Sequence, residues 1–311
     1  MGKAMLPTTI NNHENLLEQV RTVFQTADLR ESTIKQYMYA IKPFLAFVEK
    51  RSMGANTILE YKRQLAGQPL SISAKNSYLS AAIVFMRQLS RSKGTPDWSE
   101  VGLFKQGKEH KKPGLDSIEI KKIVGYMSKL EPSPATARFK AIFCLKYYQG
   151  LRDIEIYRLD VEDLNLLQAT ARVQRKGQDD KEVIALFPNT VKALGNYLKV
   201  AGIEGGALFI SFDNSCYGKR LSERSIYETM AAAFRACRIG EKSVPQARRY
   251  AKSPHGFRHT YATKLLDIFG GDVRKVAQFT GHKDIRTVLR YDDGRLHQAD
   301  VEKAIEGFAK L

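Results

Sequence analysis

The segment Pro254–Asp292 reads PHGFRHTYATKLLDIFGGDVRKVAQFTGHKDIRTVLRYD, and the remainder of the chain falls into place around it. It carries His255, Arg258, His259, His282 and Tyr291, separated by stretches whose apolar residues recur at helical spacing. Imidazoles, a guanidinium and a phenol in this arrangement suit chemistry on a phosphate. A pentacoordinate phosphorus transition state gathers negative charge on its non-bridging oxygens. An arginine fork, charged at any working pH, bonds two such oxygens at once. A phenol serves as nucleophile when a base lies beside it. The leaving alkoxide needs an acid, which a lysine supplies if its pKa is lowered. His255 and His259 also stand at the i, i+4 spacing of zinc ligands. The glutamate of an HExxH motif is missing and Arg258 lies between them, so no metal is expected.

The 311-residue chain is long enough for two domains, each with its own core. Its 43% hydrophobic and 27% charged residues fit a folded protein and exclude a disordered one. The net charge of +17 is spread over both halves, which points to a protein that grips a polyanion along much of its surface. Cys144, Cys216 and Cys237 are odd in number and widely spaced, which argues against a disulfide framework or zinc site and for a reducing compartment. No apolar h-region opens the chain and no apolar run approaches ~18 residues. Neither a secretory signal nor a membrane span is therefore expected, and the expected location is cytoplasmic.

Residues 1–104 read as a small helical bundle. Helical spacing begins at Leu16. Ser32 is placed to cap a helix to about Arg51, in which Pro43 must kink or divide the chain. Asn56 starts a shorter helix to Leu65, and Ser73 caps another to about Ser90. Lys62, Arg63, Lys75, Arg87, Arg91 and Lys93 are this bundle's candidates for contact with a nucleic-acid backbone. Residues 105–114, KQGKEHKKPG, form a basic linker with almost nothing to bury.

Residues 115–311 form the second domain. Asp116 and Glu119 make a capping-box start. A buried helix runs from about Ala135 to Gln149 and stops at Gly150, and Arg152 and Glu155 lie on the next helical turn. Ala169–Gln174 and Glu182–Leu186 read as a hairpin around Lys176–Asp180. Pro188 opens a helix to about Val200, Ala207–Ser211 is strand-like, and Ser222 caps a helix to about Arg238. Strand alternation sets Arg172, Gln174 and Lys176 opposite Val173, so Lys176 is free to face a ligand. Arg175 and Lys181 are the alternatives to Lys176. Arg172 and Arg175, with Arg248 and Arg249 in the basic loop Glu241–Ser253, complete the candidate DNA contacts. His297–Leu311 reads as an amphipathic helix with Val301, Ile305 and Phe308 on one face.

Gly150-Leu151-Arg152 with Glu155, Lys176-Gly177 on a hairpin turn, His255-Gly256-Phe257-Arg258-His259-Thr260, Gly281-His282, and Tyr291 nine residues beyond that histidine together resemble the tyrosine recombinase, or phage integrase, family. The resemblance covers the chain from about Asp116 onward. The helical first domain is similar to that family's core-binding domain in size and pattern. The chain departs from the family at Phe279-Thr280, since an aliphatic residue often precedes Gly-His there.

The resemblance implies a mainly α fold with a small antiparallel β-hairpin in the catalytic domain, built as a two-domain clamp on DNA. No extra domain precedes the helical bundle, so a separate arm-type DNA-binding domain is not expected. It implies that Arg152 and Arg258 clamp the scissile phosphate, and that His282 donates a further hydrogen bond to it. His255 would take the proton of Tyr291, Lys176 would protonate the leaving 5′ oxygen, and Tyr291 would become a 3′-phosphotyrosine. Glu155 and His259 would support these groups. Rejoining would then need no cofactor, metal or ATP. The implied partners are double-stranded DNA recombination sites and further copies of the chain. Those copies would form a dimer on each site and a tetramer in the synapse, coupled through the C-terminal helix, with exchange through a Holliday junction. The implied task is integration or excision of a mobile element, or resolution of replicon dimers. A type IB topoisomerase would share the chemistry, and a non-catalytic DNA-binding regulator would share the scaffold.

Overall fold

The computed structural model describes residues 13–49, 51, 53–97, 99–105, 114–240, 252–282, 284–289 and 291. The chain divides into two units, Met1–Glu109 and His110–Leu311. Arg248, Arg249 and the segment 297–311 lie outside the described residues.

The first unit consists of α1 (His13–Gln25), α2 (Glu31–Ala40), α3 (Lys42–Val48), α4 (Thr57–Ala66) and α5 (Ile72–Lys93). Pro43 divides the expected long helix rather than kinking it. It sits in the first turn of α3, where its missing N–H costs nothing. Two expected caps are displaced. The second helix begins at Glu31, so Ser32 lies inside it, and the acidic Glu31 side chain stands at the positive end of the helix dipole. Ser71, not Ser73, caps α5, because its side chain accepts from Ala74 N–H at 3.2 Å. α5 then runs on to Lys93, where Gly94 at φ 62° ends it. The core of this unit sets a cluster of aromatic rings among aliphatic side chains such as Ile41, Ile58 and Leu79. Phe44 meets Tyr61 at 5.1 Å and Phe85 at 6.3 Å between ring centroids, and Phe24 meets Phe85 at 6.1 Å.

The second unit comprises α6 (Ser117–Ser128), α7 (Pro134–Tyr147), α8 (Asp153–Tyr157), β1 (Leu164–Asn165), β2 (Thr170–Gln174), β3 (Lys181–Ala185), α9 (Pro188–Ala201), α10 (Glu223–Ala236), α11 (Gly256–Ile268), α12 (Val273–Thr280) and α13 (Ile285–Val288). The strands form one antiparallel sheet in the order β1-β2-β3, with Val173 opposite Glu182 and Gln174 opposite Lys181. The fold is thus mainly helical with a small antiparallel sheet, as expected. The reciprocal Asp116–Glu119 capping box starts α6, and Ser133 and Ser222 cap α7 and α10.

α7 is buried along most of its length and forms the middle of the core, packed by α9, α10 and α11. Its residues Ile142 and Leu145 join Leu194, Tyr197, Leu208 and Phe257 in one apolar cluster. The run Ala207–Ser211 is not a strand. Only the isolated bridges Asp160–Ala207 and Ile210–Arg220 form, and Leu208 and Phe209 serve as core side chains on a loop. A smaller cluster links α11, α12 and α13 through Tyr261, Leu265, Val276, Ala277 and Val288, with Tyr291 packed against it. Among the described residues, no helix is long and apolar enough to cross a membrane.

Candidate active site

Gly150 follows α7 at φ 62°, a left-handed backbone that disfavours any Cβ. A Cβ there would also come within 2.2 Å of the Tyr261 ring on α11. This close approach lets the Gly150 carbonyl accept from Arg258 Nη1 at 2.9 Å. The chain then turns into α8, with Arg152 as its extended N-cap residue. Arg152 is bound at both ends by one side chain. Its backbone N–H donates to Glu155 Oε2 at 2.9 Å and its guanidinium Nη1 donates to Oε1 at 2.7 Å.

Glu155 is fully buried and stands at the centre of the site. Besides Arg152, it faces Arg175 Nη1 at 3.7 Å and Arg258 Nη1 at 3.9 Å, and it accepts the backbone N–H of Lys176 at 3.2 Å. Burial pushes this carboxyl upward, but the Arg258 and Arg152 guanidiniums, with a smaller contribution from Arg175, outweigh it and hold the group below the usual carboxylate range. A buried carboxylate ringed by three guanidiniums leaves the pocket with an excess of positive charge, which is the condition for capturing an anion.

Arg258 is 2% exposed and lies on α11. Burial, then the like charge of Arg152, lowers its pKa to about 10, so it stays cationic at neutral pH. It donates to the Thr280 carbonyl at 2.6 Å and to His282 Nε2 at 3.0 Å. Arg152 Nη2 reaches the same nitrogen at 3.3 Å. Burial, then Arg258 and Arg152, push the His282 pKa down to about 3, so its ring is neutral at physiological pH. Gly281, at φ 63°, turns the chain so that His282 faces the pair. A Cβ on Gly281 would meet Arg175 Nε at 2.5 Å, so this glycine is also a close-packing position.

Tyr291 is half-buried beside this group. Its N–H donates to Val288 O at 2.8 Å, its ring lies 5.7 Å from that of His282, and the His259 ring meets it edge-on at 5.3 Å. Residues far apart in sequence, Arg152, Glu155, Arg258, His282 and Tyr291, thus converge on one pocket. His255 stands exposed at the N-cap of α11. Lys176 is exposed at the tip of the β2–β3 turn, anchored through its backbone to Glu155. His259 is nearly buried and shares a hydrogen bond with Thr263 Oγ1 at 3.3 Å.

Arg175 corrects the reading of the hairpin. It does not contact DNA from the surface, since it is 1% exposed and points inward. It bonds Glu182 at 2.5 Å and the Phe279 carbonyl at 3.4 Å, bracing the turn that carries His282. The signal was available: residue 175 shares the parity of the buried Val173, so alternation turns it inward. Lys181, the other alternative to Lys176, is held by Asp163 at 2.6 Å. Arg172 is largely exposed but lies 3.4 Å from Asp163. In the first unit, Lys62 donates to Gly102 O, Lys75 to Ala66 O and Arg87 to Ser99, whereas Arg63, Arg91 and Lys93 are exposed. Thr280 was not foreseen as a site residue. Its hydroxyl lies 2.6 Å from His282 Nδ1, and its only sequence signal is the departure from an aliphatic residue before Gly-His. Among the described residues, no group of three or more His, Cys, Asp or Glu side chains could hold a metal ion.

Comparison with known proteins accords with this geometry. The model of the phage integrase family matches residues 114–296, and that of the phage integrase N-terminal SAM-like domain matches residues 16–94. The chain is 27% identical over 292 residues to tyrosine recombinase XerC of Haemophilus influenzae, covering 93% of this chain and 87% of the relative. Its fold is similar to that of XerH site-specific recombinase bound to palindromic difH substrate, with a TM-score of 0.68 at 16% identity, covering 97% of this chain and 91% of the other. It is also similar to a lambda integrase dimer bound to a COC′ core site, with a TM-score of 0.66 at 14% identity, covering 92% and 96%. The match spans more than half of the chain and includes every motif that builds the pocket, and the chain accordingly belongs to the phage integrase family of tyrosine recombinases.

Proposed function

We propose that this recombinase cleaves and rejoins DNA at specific sites through a 3′-phosphotyrosine on Tyr291 and exchanges strands through a Holliday junction. The observation that carries this reading is the convergence of Arg152 and Arg258 on one nitrogen of His282, with the ring of Tyr291 packed against that imidazole. A phosphodiester entering here meets two guanidiniums within reach of its non-bridging oxygens, and the phenol of the same chain stands alongside as nucleophile. His255, at the exposed head of α11, is assigned the proton of Tyr291. Lys176, on the exposed turn, is assigned the leaving 5′ oxygen. The ester conserves the energy of the broken bond, so a 5′-hydroxyl reverses the step without ATP.

The exposed cations Arg63, Arg91, Lys93 and Arg172, and the basic residues 248 and 249, are assigned to the DNA backbone. Residues 1–104 would supply the core-binding half, 105–114 the linker, and 115–311 the catalytic half. The copies act as a dimer on each site and a tetramer in the synapse, coupled through segment 297–311, in the cytoplasm on the nucleoid. The task is integration or excision of a mobile element, or resolution of replicon dimers.

Incubation with nicked suicide duplexes made from fragmented DNA, in buffer containing EDTA, tests the reading. The native chain is expected to trap DNA covalently, and the sequenced junctions to share one core site. Tyr291→Phe is expected to bind DNA and form no adduct. An adduct that persists in Tyr291→Phe would show a different nucleophile, and adducts scattered without a common site would favour a topoisomerase.

A further inference from the structure

The hydroxyl of Thr280 lies between a carbonyl, which only accepts, and an imidazole nitrogen, which donates or accepts according to its tautomer. Thr280 is fully buried at the end of α12. Its Oγ1 stands 2.7 Å from the Val276 carbonyl and 2.6 Å from His282 Nδ1. On the other side of the ring, Nε2 faces Arg258 Nη2 at 3.0 Å and Arg152 Nη2 at 3.3 Å. Guanidinium groups only donate, so Nε2 must present its lone pair, and the proton of the neutral ring sits on Nδ1. Nδ1–H then donates to Thr280 Oγ1, and the hydroxyl proton goes to the Val276 carbonyl. Each of these polar atoms is satisfied in this one arrangement.

A phosphodiester reverses the demand on Nε2. Its oxygens accept only, and they draw the two guanidiniums away from the imidazole. A lone pair on Nε2 would then face a lone pair on oxygen, which is repulsive, so Nε2 must carry a proton. Arg258 on α11, Arg152 at the N-cap of α8 and Arg175 after β2 oppose a positive charge on the ring, and Glu155 and Tyr291 face the same group. A neutral ring with the proton on Nε2 avoids that charge, but it needs a donor for the bared Nδ1. Thr280 supplies one by rotating its hydroxyl from the Val276 carbonyl to Nδ1.

We infer that Thr280 is a positioning residue whose hydroxyl rotor selects the tautomer of His282, accepting from Nδ1 in the empty pocket and donating to it when phosphate is bound. One proton leaves Nδ1 for solvent and one arrives on Nε2 from solvent, so the net uptake is zero. The second half of this inference rests on the proposed phosphodiester chemistry, whereas the first half concerns the free protein alone.

The test is 15N NMR of the full chain labelled at histidine, with the His282 signals assigned by their loss in His282→Gln. Spectra are taken without and with saturating dimethyl phosphate, a phosphodiester that carries no proton at neutral pH and so only accepts. The free protein is expected to show Nδ1–H, and the phosphate complex Nε2–H with no change in ring charge. Thr280→Val, which keeps the shape and removes the rotor, is expected to lose the switch and to slow single-turnover cleavage by about 10- to 100-fold, as a buried nitrogen loses its partner. Thr280→Ser is expected to restore both. An Nε2–H tautomer in the free protein would overturn the inference whatever the protein's function. So would a tautomer switch that survives in Thr280→Val, or an imidazolium in the phosphate complex. If dimethyl phosphate leaves the His282 signals of the free protein unchanged, the rotor fails, and the suicide-substrate trap then shows separately whether the catalytic reading stands.

Discussion

Glu155→Gln keeps the size of the side chain and removes the one negative charge set among three guanidiniums. In the native chain that carboxylate lies 2.7 Å from Arg152, 3.7 Å from Arg175 and 3.9 Å from Arg258, with no exposure to solvent. At an effective dielectric of about 20, each contact is worth on the order of 4–6 kcal/mol before desolvation and mutual repulsion of the cations are subtracted. Breaking a buried ion cluster by removing one partner costs about 3–5 kcal/mol net. For a unit of this size, that corresponds to a fall in melting temperature of roughly 10 °C. Scanning calorimetry of the full chain at neutral pH is the assay. Millimolar phosphate is expected to recover part of the loss, because an anion between the cations binds the folded state alone. The pH dependence adds a check on cause. The Glu155 carboxyl titrates below its ordinary value of 4.5 in the folded chain, so its contribution is complete above that value and is lost as pH falls through the folded pKa. The gap between native and variant must therefore narrow in acid. A variant that melts within 1 °C of the native protein, or a gap that acid leaves unchanged, would refute the assignment of Glu155 as the electrostatic centre.

His282 makes a second acid-dependent contribution in a different window. Its pKa falls from 6.5 to about 3 on folding, so the unfolded chain binds the extra proton between these values. Stability is expected to decline as pH drops below 6.5, by at most about 1.4 kcal/mol per pH unit, and His282→Gln to flatten that slope in denaturant titrations. Gly150→Ala introduces a side chain at φ 62° and within 2.2 Å of the Tyr261 ring; urea unfolding is expected to show a loss of about 2–4 kcal/mol. Arg175→Met removes the brace between Glu182, Phe279 and Gly281, so melting temperature is expected to fall. The salt slope of DNA binding is expected to stay unchanged in that variant, because a side chain 1% exposed releases no counterions.

Local structure and the inventory of reactive groups were legible in the residue order. Capping residues such as Asp116 and Ser222, the proline at position 43 and the apolar periodicity act over a few residues, so they can be read without knowing what lies across space. The resemblance of the motifs from Gly150 to Tyr291 to the tyrosine recombinase family carried Arg152, Arg258, His282 and Tyr291 as a set. Where the pattern was weak, as at Ser32, Ser73 and Ala207–Ser211, several nearby residues suited the same role, and packing chose among them. Which groups bond to one another depended on the fold in three dimensions. Strand parity alone would have turned Arg175 inward, but its partners on the turn before His282 come from a distant part of the chain. The burial of Glu155, and with it the sharing of one carboxylate by three guanidiniums, arises because α8, the β2–β3 turn and α11 meet there. Thr280 became part of the site because Gly281 turns His282 back onto it, and the sense of a hydrogen bond is set by the partners the fold delivers to each end of the ring.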